Sequence, residues 1–429
     1  MSIKLGCIAD DFTGATDLAN NLVQAGLRVL QAIGVPSRPL STDVDAVVIA
    51  LKSRTTPSGE AIADSLAALQ WLQAQGARQI YFKYCSTFDS TEEGNIGPVT
   101  EALMDALDTD FTIATPAFPD NKRTVFNGYL FVGDVLLHES GMQNHPLTPM
   151  TDPNLVRVMQ SQCKRKVGLI DYSVVRQGAP AVQQHMNLLR SEGVNIAIVD
   201  ALSNQDLINI GPALKHLPLL TAGSGVAIGL PQNFGIAPSS QASALPAPRG
   251  ARAIVSGSCS IATNAQVAAF IKAGHAAFAL DPEEVAAGSD VVGRILAQAL
   301  PLLQNGPVLV YSTAASAAVK AVQARLGVAE AGAMTENAIA SIARGLVEGG
   351  VGQLIVAGGE TSGACVQALG ISQLQIGSQI DPGVPWCHAH TTVHGNDSIH
   401  IALKSGNFGT EDFFEKAFDA ARVQESSHA

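Results

Sequence analysis

Apolar residues in this chain come in short blocks separated by stretches of a different rhythm. Runs rich in Val and Ile at 3–9, 28–33, 45–51, 79–84, 110–114, 166–171 and 194–199 have the length and composition of buried strands. Between many of them, at 59–75, 96–107 and 179–191 for example, the spacing predicts helices. Such alternation is the mark of βαβ units around a mainly parallel sheet.

The rhythm stops at Gly235-Ile236-Ala237-Pro238-Ser239-Ser240-Gln241-Ala242-Ser243-Ala244-Leu245-Pro246-Ala247-Pro248-Arg249, a stretch of prolines and small residues with little periodicity. It predicts a linker at 235–250 between a first domain, 1–234, and a second, 251–429. Beyond it, strands are expected at 252–256, 307–311 and 353–358, and helices at 261–273, 314–326, 335–349 and 362–369. The region 374–404 reads as paired β segments, followed by a terminal helix near 411–423. No clear internal repeat is visible. The expected fold class is α/β: two domains, each with a mainly parallel sheet flanked by helices, the second with additional paired β segments. Ligands often bind between domains, so the active site is expected in the interdomain cleft.

Composition narrows the function. A chain of 429 residues suits two domains or three. With 47% hydrophobic and 15% charged residues, it can build sizeable cores and is not expected to be disordered. A formal net charge of −11 argues against non-specific nucleic-acid binding, which needs clustered cations. No apolar run approaches the roughly 18–20 residues that span a bilayer, and the opening residues lack a secretory core. The six cysteines, at 7, 85, 163, 259, 365 and 387, are scattered and form no Cys-x-x-Cys pair, which suits neither a disulfide framework nor a zinc site. A cytoplasmic protein with small-molecule partners, no nucleic-acid or membrane partner and scope for homo-oligomers is expected.

The opening Lys4-Leu5-Gly6-Cys7-Ile8-Ala9-Asp10-Asp11-Phe12-Thr13-Gly14-Ala15-Thr16-Asp17-Leu18-Ala19-Asn20 carries the sharpest chemistry. An apolar run ends in two carboxylates, and a helical pattern begins directly after them. That order places Asp10 and Asp11 at the carboxyl end of a first strand, where open α/β sheets bind ligands. Two adjacent acids suit ligand hydroxyls, a metal ion or a proton to be moved; alternatively, one of them caps the helix. Lys52-Ser53-Arg54-Thr55 follows the strand at 45–51, and an arginine there suits a substrate carboxylate. Lys83-Tyr84-Cys85-Ser86-Thr87-Phe88-Asp89-Ser90-Thr91 offers a cation, hydroxyls and a carboxylate after another strand, or else a polar loop with turn residues.

In the second half, Leu354-Ile355-Val356-Ala357-Gly358-Gly359-Glu360-Thr361-Ser362-Gly363 runs from a strand through glycines into a helix start. Helix N-termini expose free N–H groups, and glycines let a phosphate approach them closely. The competing reading is a tight turn capped by Thr361 or Ser362. Ile254-Val255-Ser256-Gly257-Ser258-Cys259-Ser260 and Leu403-Lys404-Ser405-Gly406-Asn407-Phe408-Gly409 add two similar loops, and three in one domain favour a nucleotide. No Walker A or protein-kinase motif is present. Ala222-Gly223-Ser224-Gly225-Val226-Ala227-Ile228-Gly229 resembles a dinucleotide fingerprint in a poor context and reads better as a helix-starting turn. His388, His390 and His394 have metal-ligand spacing but no completing carboxylate, so surface or strand histidines are expected.

Taken together, these stretches resemble the four-carbon acid sugar kinase family over nearly the whole length. The resemblance runs from Asp10 to Asp17, through Lys83 to Gly97 and Gly358 to Gly363, to Lys404-Ser405-Gly406-Asn407-Phe408-Gly409. It implies a first domain that binds a sugar acid and a second that binds ATP. Ser258, Gly359, Glu360, Thr361, Ser362, Gly363 and Gly406 would then be nucleotide contacts. Arg54, Lys83 and Asp89 are the candidate substrate-binding residues. Asp11 or Asp10 is the candidate base, with Asp89 third, and ATP and Mg²⁺ are the cofactors; the sequence does not reveal the protein ligands of the metal. Within the family the branch acting on the 4-hydroxyl of 3-oxo-tetronates is the expected match, with D-threonate or D-erythronate 4-kinases as the alternative. Where the wider family often has a basic residue before the Gly-Asn pair, this chain has Glu93, consistent with a distinct substrate. A nicotinamide-dependent dehydrogenase and a non-catalytic acid sensor are the rival classes.

Overall fold

The computed structural model describes residues 3–40, 43–144, 148–312, 328–395 and 397–426. The helix expected at 314–326 lies outside the described residues. The chain divides into two compact units, Met1–Ser243 and Ala244–Ala429.

The strands of the first unit are β1 (Leu5–Ala9), β2 (Val29–Ile33), β3 (Ala46–Ala50), β4 (Gln79–Lys83), β5 (Thr112–Thr115), β6 (Arg123–Phe126), β7 (Tyr129–Val132), β8 (Val135–Leu136), β9 (Val167–Ile170), β10 (Ile196–Val199) and β11 (Leu219–Ala222). Eight of them form a parallel sheet in the order β2-β3-β1-β4-β11-β5-β10-β9. All residues of β1, β3 and β4 are buried, as expected of parallel strands covered on both faces. The chain winds from β1 through β2 and β3 to one side, then returns to place β4 on the other. The winding direction therefore reverses at β1, which opens a crevice at the carboxyl ends of β1 and β4. The remaining strands, β6-β7-β8, form a small antiparallel ribbon after β5.

The second unit contributes β12 (Ala251–Ser256), β13 (Ala276–Ala279), β14 (Val308–Tyr311), β15 (Val351–Ala357), β16 (Gln373–Asp381), β17 (Val384–His390) and β18 (Ser398–Lys404). Its order is β13-β14-β12-β15-β18-β17-β16, parallel as far as β18 and antiparallel beyond. The paired β segments expected at 374–404 are these last three strands. The winding reverses again at the first strand, between β12 and β15. A core of Ile254, Phe270, Leu309, Ile355, Trp386, Phe413 and Phe418 lies beside it.

Several elements were not visible in the periodicity. Strands β11 and β13 have only four residues each, and the ribbon β6–β8 is held by hairpin turns at Asn127 and Gly128, both with positive φ. The run 222–229 does not start an α-helix. It ends β11 and passes into a 3₁₀ stretch, Gly225–Gly229. A Cβ on Gly225 would lie 2.2 Å from the Ala117 carbonyl, and one on Gly229 2.4 Å from that of Leu207. These glycines serve close backbone packing, and the helix a dinucleotide site needs is absent there.

Candidate active site

The first crevice gathers side chains from the ends of three neighbouring strands. Asp10 and Asp11 follow β1, Arg54 follows β3, and Lys83 is the last residue of β4. The Asp10 carbonyl accepts from the N–H groups of Ser53 and Arg54, at 3.0 and 3.2 Å. The Arg54 guanidinium then forks onto Asp10 through Nε (2.9 Å) and Nη2 (2.8 Å), and Nη2 also reaches Asp11 at 2.7 Å. Asn95 fastens this loop from behind. Its amide nitrogen donates to the carbonyls of Ser53, Arg54 and Thr56.

Asp11 has two functions open to it. It caps the helix Phe12–Gln24 by accepting from Gly14 N–H at 3.0 Å and takes a second bond from the Thr13 hydroxyl at 2.9 Å. Burial raises its pKa, but Arg54, Lys83, Thr13 and Gly14 together hold it below the ordinary value. At Asp10 burial outweighs the pull of Arg54 and holds the carboxyl above the ordinary value. The Asp11 side chain is 21% exposed against 8% for Asp10, so Asp11 is the more reachable carboxylate.

Lys83 is 2% exposed, and among the described residues its ammonium has no hydrogen bond or ion pair. It stands over the first turn of the helix: a Cβ on Gly14 would lie 2.4 Å from Nζ and 2.1 Å from Asp11 Oδ1. Asp89 lies further along the same loop, with its N–H on Cys85 Sγ and its buried Oδ1 without a partner. The residue before it, the buried Phe88, takes a positive φ of 53°, a conformation costly for an aromatic side chain. The strain is stored in the loop that sets Asp89.

Three residues missed by sequence reasoning complete the crevice. Asn95 is one. Asp17, one turn into the helix, accepts from the Ser224 hydroxyl after β11, while its Oδ1 is buried without a partner. Arg123, the first residue of β6, lies within electrostatic reach of both Asp89 and Asp17. No signal for Asp17 was present in the sequence: it falls on the polar stripe of its helix with Thr13, Thr16, Asn20 and Asn21, and the structure buries that stripe too.

Burial raises the Asp17 pKa from 3.8 to about 6, against the pull of Lys83 and Ser224. The unfolded chain ionises at the ordinary value, so the group's contribution to stability is full below about pH 4 and is lost as pH rises through about 6. Asp17→Asn mimics the protonated form. It is expected to unfold at higher denaturant than the parent at pH 7.5, by up to about 3 kcal/mol at roughly 1.4 kcal/mol per pK unit, and to lose that advantage at pH 4.5. Equal differences at the two pH values would show that the buried charge is not costly.

The second crevice, at the ends of β12, β15 and β18, has different chemistry. Ser258 N–H and Gly257 N–H both donate to the Ala357 carbonyl. Ser260 caps the helix Ile261–Lys272, and its hydroxyl donates at 2.5 Å to the Gly406 carbonyl, which Thr263 also reaches at 2.8 Å. Gly358 has φ 126° and precedes the helix Gly359–Ala368, whose N-terminus has no side-chain cap. Close packing leaves no space for side chains here. A Cβ on Gly257 would lie 2.2 Å from Thr361 Oγ1, and one on Gly406 2.4 Å from Ser258 Oγ. Ser258, Gly359, Glu360, Thr361 and Gly406 are thus brought to one place, around an uncapped helix N-terminus suited to an anion. Ser362 and Gly363 lie within the helix and are buried, and the Ser362 hydroxyl donates to the Gly358 carbonyl.

Lys404 ends β18 with its side chain fully buried. Its ammonium donates to Thr263 Oγ1 and to the carbonyls of Ser405, Gly406 and Phe408, all at 3.0–3.1 Å. The lysine therefore ties the Gly-rich loop to the helix that carries Ser260. His388 and His400 lie on β17 and β18 with rings 5.3 Å apart, and His400 meets the Pro246 carbonyl. Among the described residues no three His, Cys, Asp or Glu side chains form a group that could hold a metal ion. No helix of the described residues is long and apolar enough to cross a membrane.

Comparisons with known proteins divide the chain along the same lines. Residues 5–230 match the family model of a sugar-binding N-terminal domain, and residues 253–414 that of a nucleotide-binding C-terminal domain. The chain is 57% identical to a 3-oxo-tetronate kinase of Pseudomonas fluorescens over 418 residues, covering 96% of each chain. It is also 57% identical to the enzyme of that name from Burkholderia multivorans, covering 97% of each. Among solved structures, a Haemophilus influenzae protein superposes with a TM-score of 0.76 at 47% identity, covering 96% of this chain and 99% of that one. A Salmonella typhimurium LT2 protein gives 0.84 at 44% identity, covering 96% and 98%. A full-length match of this identity, joined to one crevice of carboxylates and cations and another of glycines and hydroxyls, places the chain in the four-carbon acid sugar kinase family.

Proposed function

We propose that the protein transfers the γ-phosphoryl group of ATP to the terminal 4-hydroxyl of a 3-oxo-tetronate, giving the 4-phosphate and ADP. The observation that carries this reading is the first crevice. A reachable carboxylate, Asp11, stands beside an unpaired buried ammonium, Lys83, at the winding reversal of a parallel sheet. The relatives' names supply the acid. D-threonate and D-erythronate are disfavoured by the same names.

The 4-hydroxyl oxygen attacks the γ-phosphorus, the bond to the β,γ-bridging oxygen breaks, and ADP leaves with the electron pair. Asp11 takes the hydroxyl proton, while Arg54 holds the Asp10–Asp11 pair in place. Catalysis of this kind is positioning and electrostatics more than covalent chemistry. It requires the acid and the γ-phosphoryl to share one water-poor reaction space. Ser258, Gly359, Glu360, Thr361 and Gly406 hold the phosphates, with Ser362 and Gly363 supporting that helix start from within. The ligand set fits a Mg²⁺ that arrives with the nucleotide: the loops offer hydroxyl oxygens and the carboxylate of Glu360, and no protein cage is present among the described residues. Such an ion keeps several waters and binds mainly through substrate phosphates, whose charge it neutralises.

The test is an ADP-release screen across four-carbon acids, with and without Mg²⁺. The reading expects Mg²⁺-dependent release, fastest with a 3-oxo-tetronate. Acid binding without ADP would make the protein a sensor, and faster release with threonate or erythronate would reassign the substrate.

A further inference from the structure

A sugar acid presents a carboxylate, and the crevice must supply a cation for it. Arg54, the arginine that sequence position favours, is already spent. Both nitrogens that define its fork donate to Asp10 and Asp11, so an incoming carboxylate would meet two others. Arg123 stands differently. Its Nη1 donates to the Asn121 carbonyl, but its Nε is buried with no acceptor. Among the described residues it makes no ion pair, although Asp89 and Asp17 lie within electrostatic reach.

The neighbouring groups are orphaned in the same way. Asp89 Oδ1 and Asn121 Nδ2 are buried without hydrogen-bond partners. Buried polar atoms are almost always paired, and several unpaired ones in one place need an explanation. Here the set comprises a cation with a free donor, an amide with free donors and a carboxylate with a free acceptor. It is the complement of a small molecule that carries an anion next to a hydroxyl. Arg123 and Asp89 are each partly open to solvent as residues, while the three orphaned atoms themselves are buried.

We propose that Arg123 grips the carboxylate of the acid substrate, with Asn121 donating to the same group and Asp89 accepting from the adjacent hydroxyl. The proposal rests on the sugar-acid kinase reading above. It makes Arg123 the residue that separates acids from neutral sugars, and it leaves Arg54 as a positioning residue for the two aspartates. An arginine suits this task because its planar fork matches a carboxylate.

The test compares the full-length protein with Arg123→Gln and Arg123→Lys. Two substrates are used: a 3-oxo-tetronate, and the neutral ketotetrose in which CH₂OH replaces the carboxylate. ADP release, calorimetric binding of the acid and thermal melting are measured. Arg123→Gln is expected to raise the KM and Kd of the acid by about 100-fold, the loss of two charge-assisted hydrogen bonds. The preference for acid over ketotetrose should fall by the same factor, and the KM for ATP should stay within about twofold of the parent. Arg123→Lys should recover part of the loss, since charge returns without the fork. A preserved acid preference in a normally melting Arg123→Gln would overturn the proposal, as would an equal loss with both substrates. If the parent binds the acid yet releases no ADP, the kinase reading fails alone, and the binding isotherm of Arg123→Gln decides the role of Arg123. Failure of the parent to bind any four-carbon acid overturns both.

Discussion

Asp11→Asn is expected to lower kcat by about 10²–10⁴-fold, the usual contribution of a general base, with a smaller change in the KM for the acid. The substitution isolates basicity. Asparagine keeps an oxygen for the Gly14 N–H and caps a helix as well as aspartate does, so the helix Phe12–Gln24 should stay in place. Steady-state kinetics beside a melting curve make the comparison. A fall confined to kcat identifies Asp11 as the base. A rise confined to KM would make it an orienting group, and near-parental kinetics would leave it only a cap. Asp10→Asn is the informative neighbour, because both Asp10 oxygens hold the Arg54 fork. That variant should loosen the loop fastened by Asn95 and act on KM and stability more than on kcat.

Lys404→Met should raise the KM for ATP by at least about tenfold, because it strips from four acceptors the one donor that ties them together. The loop at Gly406 would then be held by Ser260 and Thr263 alone, without the tie across Ser405 and Phe408, and would hold its shape against Ser258 less firmly. Burial pulls the Lys404 pKa down to about 7, with Asp381 opposing. Between pH 6 and 8 the ammonium therefore loses a proton and one of its three donors. The KM for ATP should rise over that interval in the parent by more than in Lys404→Met, and the difference cancels the titration of ATP itself. A parallel pH profile in the two proteins would show that Lys404 does not set the loop.

Much of the scaffold could be read from the chain because its signals were local. The run Leu5–Ala9 is apolar throughout, and two acids followed by a helical pattern mark its end whatever the rest of the chain does. The glycines at 358 and 359 mark the corresponding point after β15. What escaped was decided by neighbours distant in sequence. Asp17 meets Ser224, a partner 207 positions away, and nothing near it announces that contact. Arg123 enters the crevice because β5, β11 and β4 lie side by side, an order invisible before the sheet is assembled. Asn95 could be read only as the start of a helix, and its three bonds go to carbonyls about 40 positions earlier. Arg54 had the right place for a substrate contact, yet the short-range rule that found it could not see that two aspartates would claim its fork.

The winding of the two sheets has an implication for how this scaffold acquires specificity. In each unit the first strand lies inside, the next two add on one side in the same order, and the fourth returns on the other: β2-β3-β1-β4 and β13-β14-β12-β15. The sequence shows no matching repeat, so the shared feature is a way of wrapping chain and not a shared set of side chains. Each wrapping ends its first strand at an equivalent corner. One corner carries Asp10-Asp11 and the other Gly257-Ser258. Negative charge at such a corner asks for a ligand that gives up protons, and bare backbone with hydroxyls asks for one that brings negative charge. One architecture used twice can in this way serve both the acceptor and the donor of a transferred group, with the choice written in two residues.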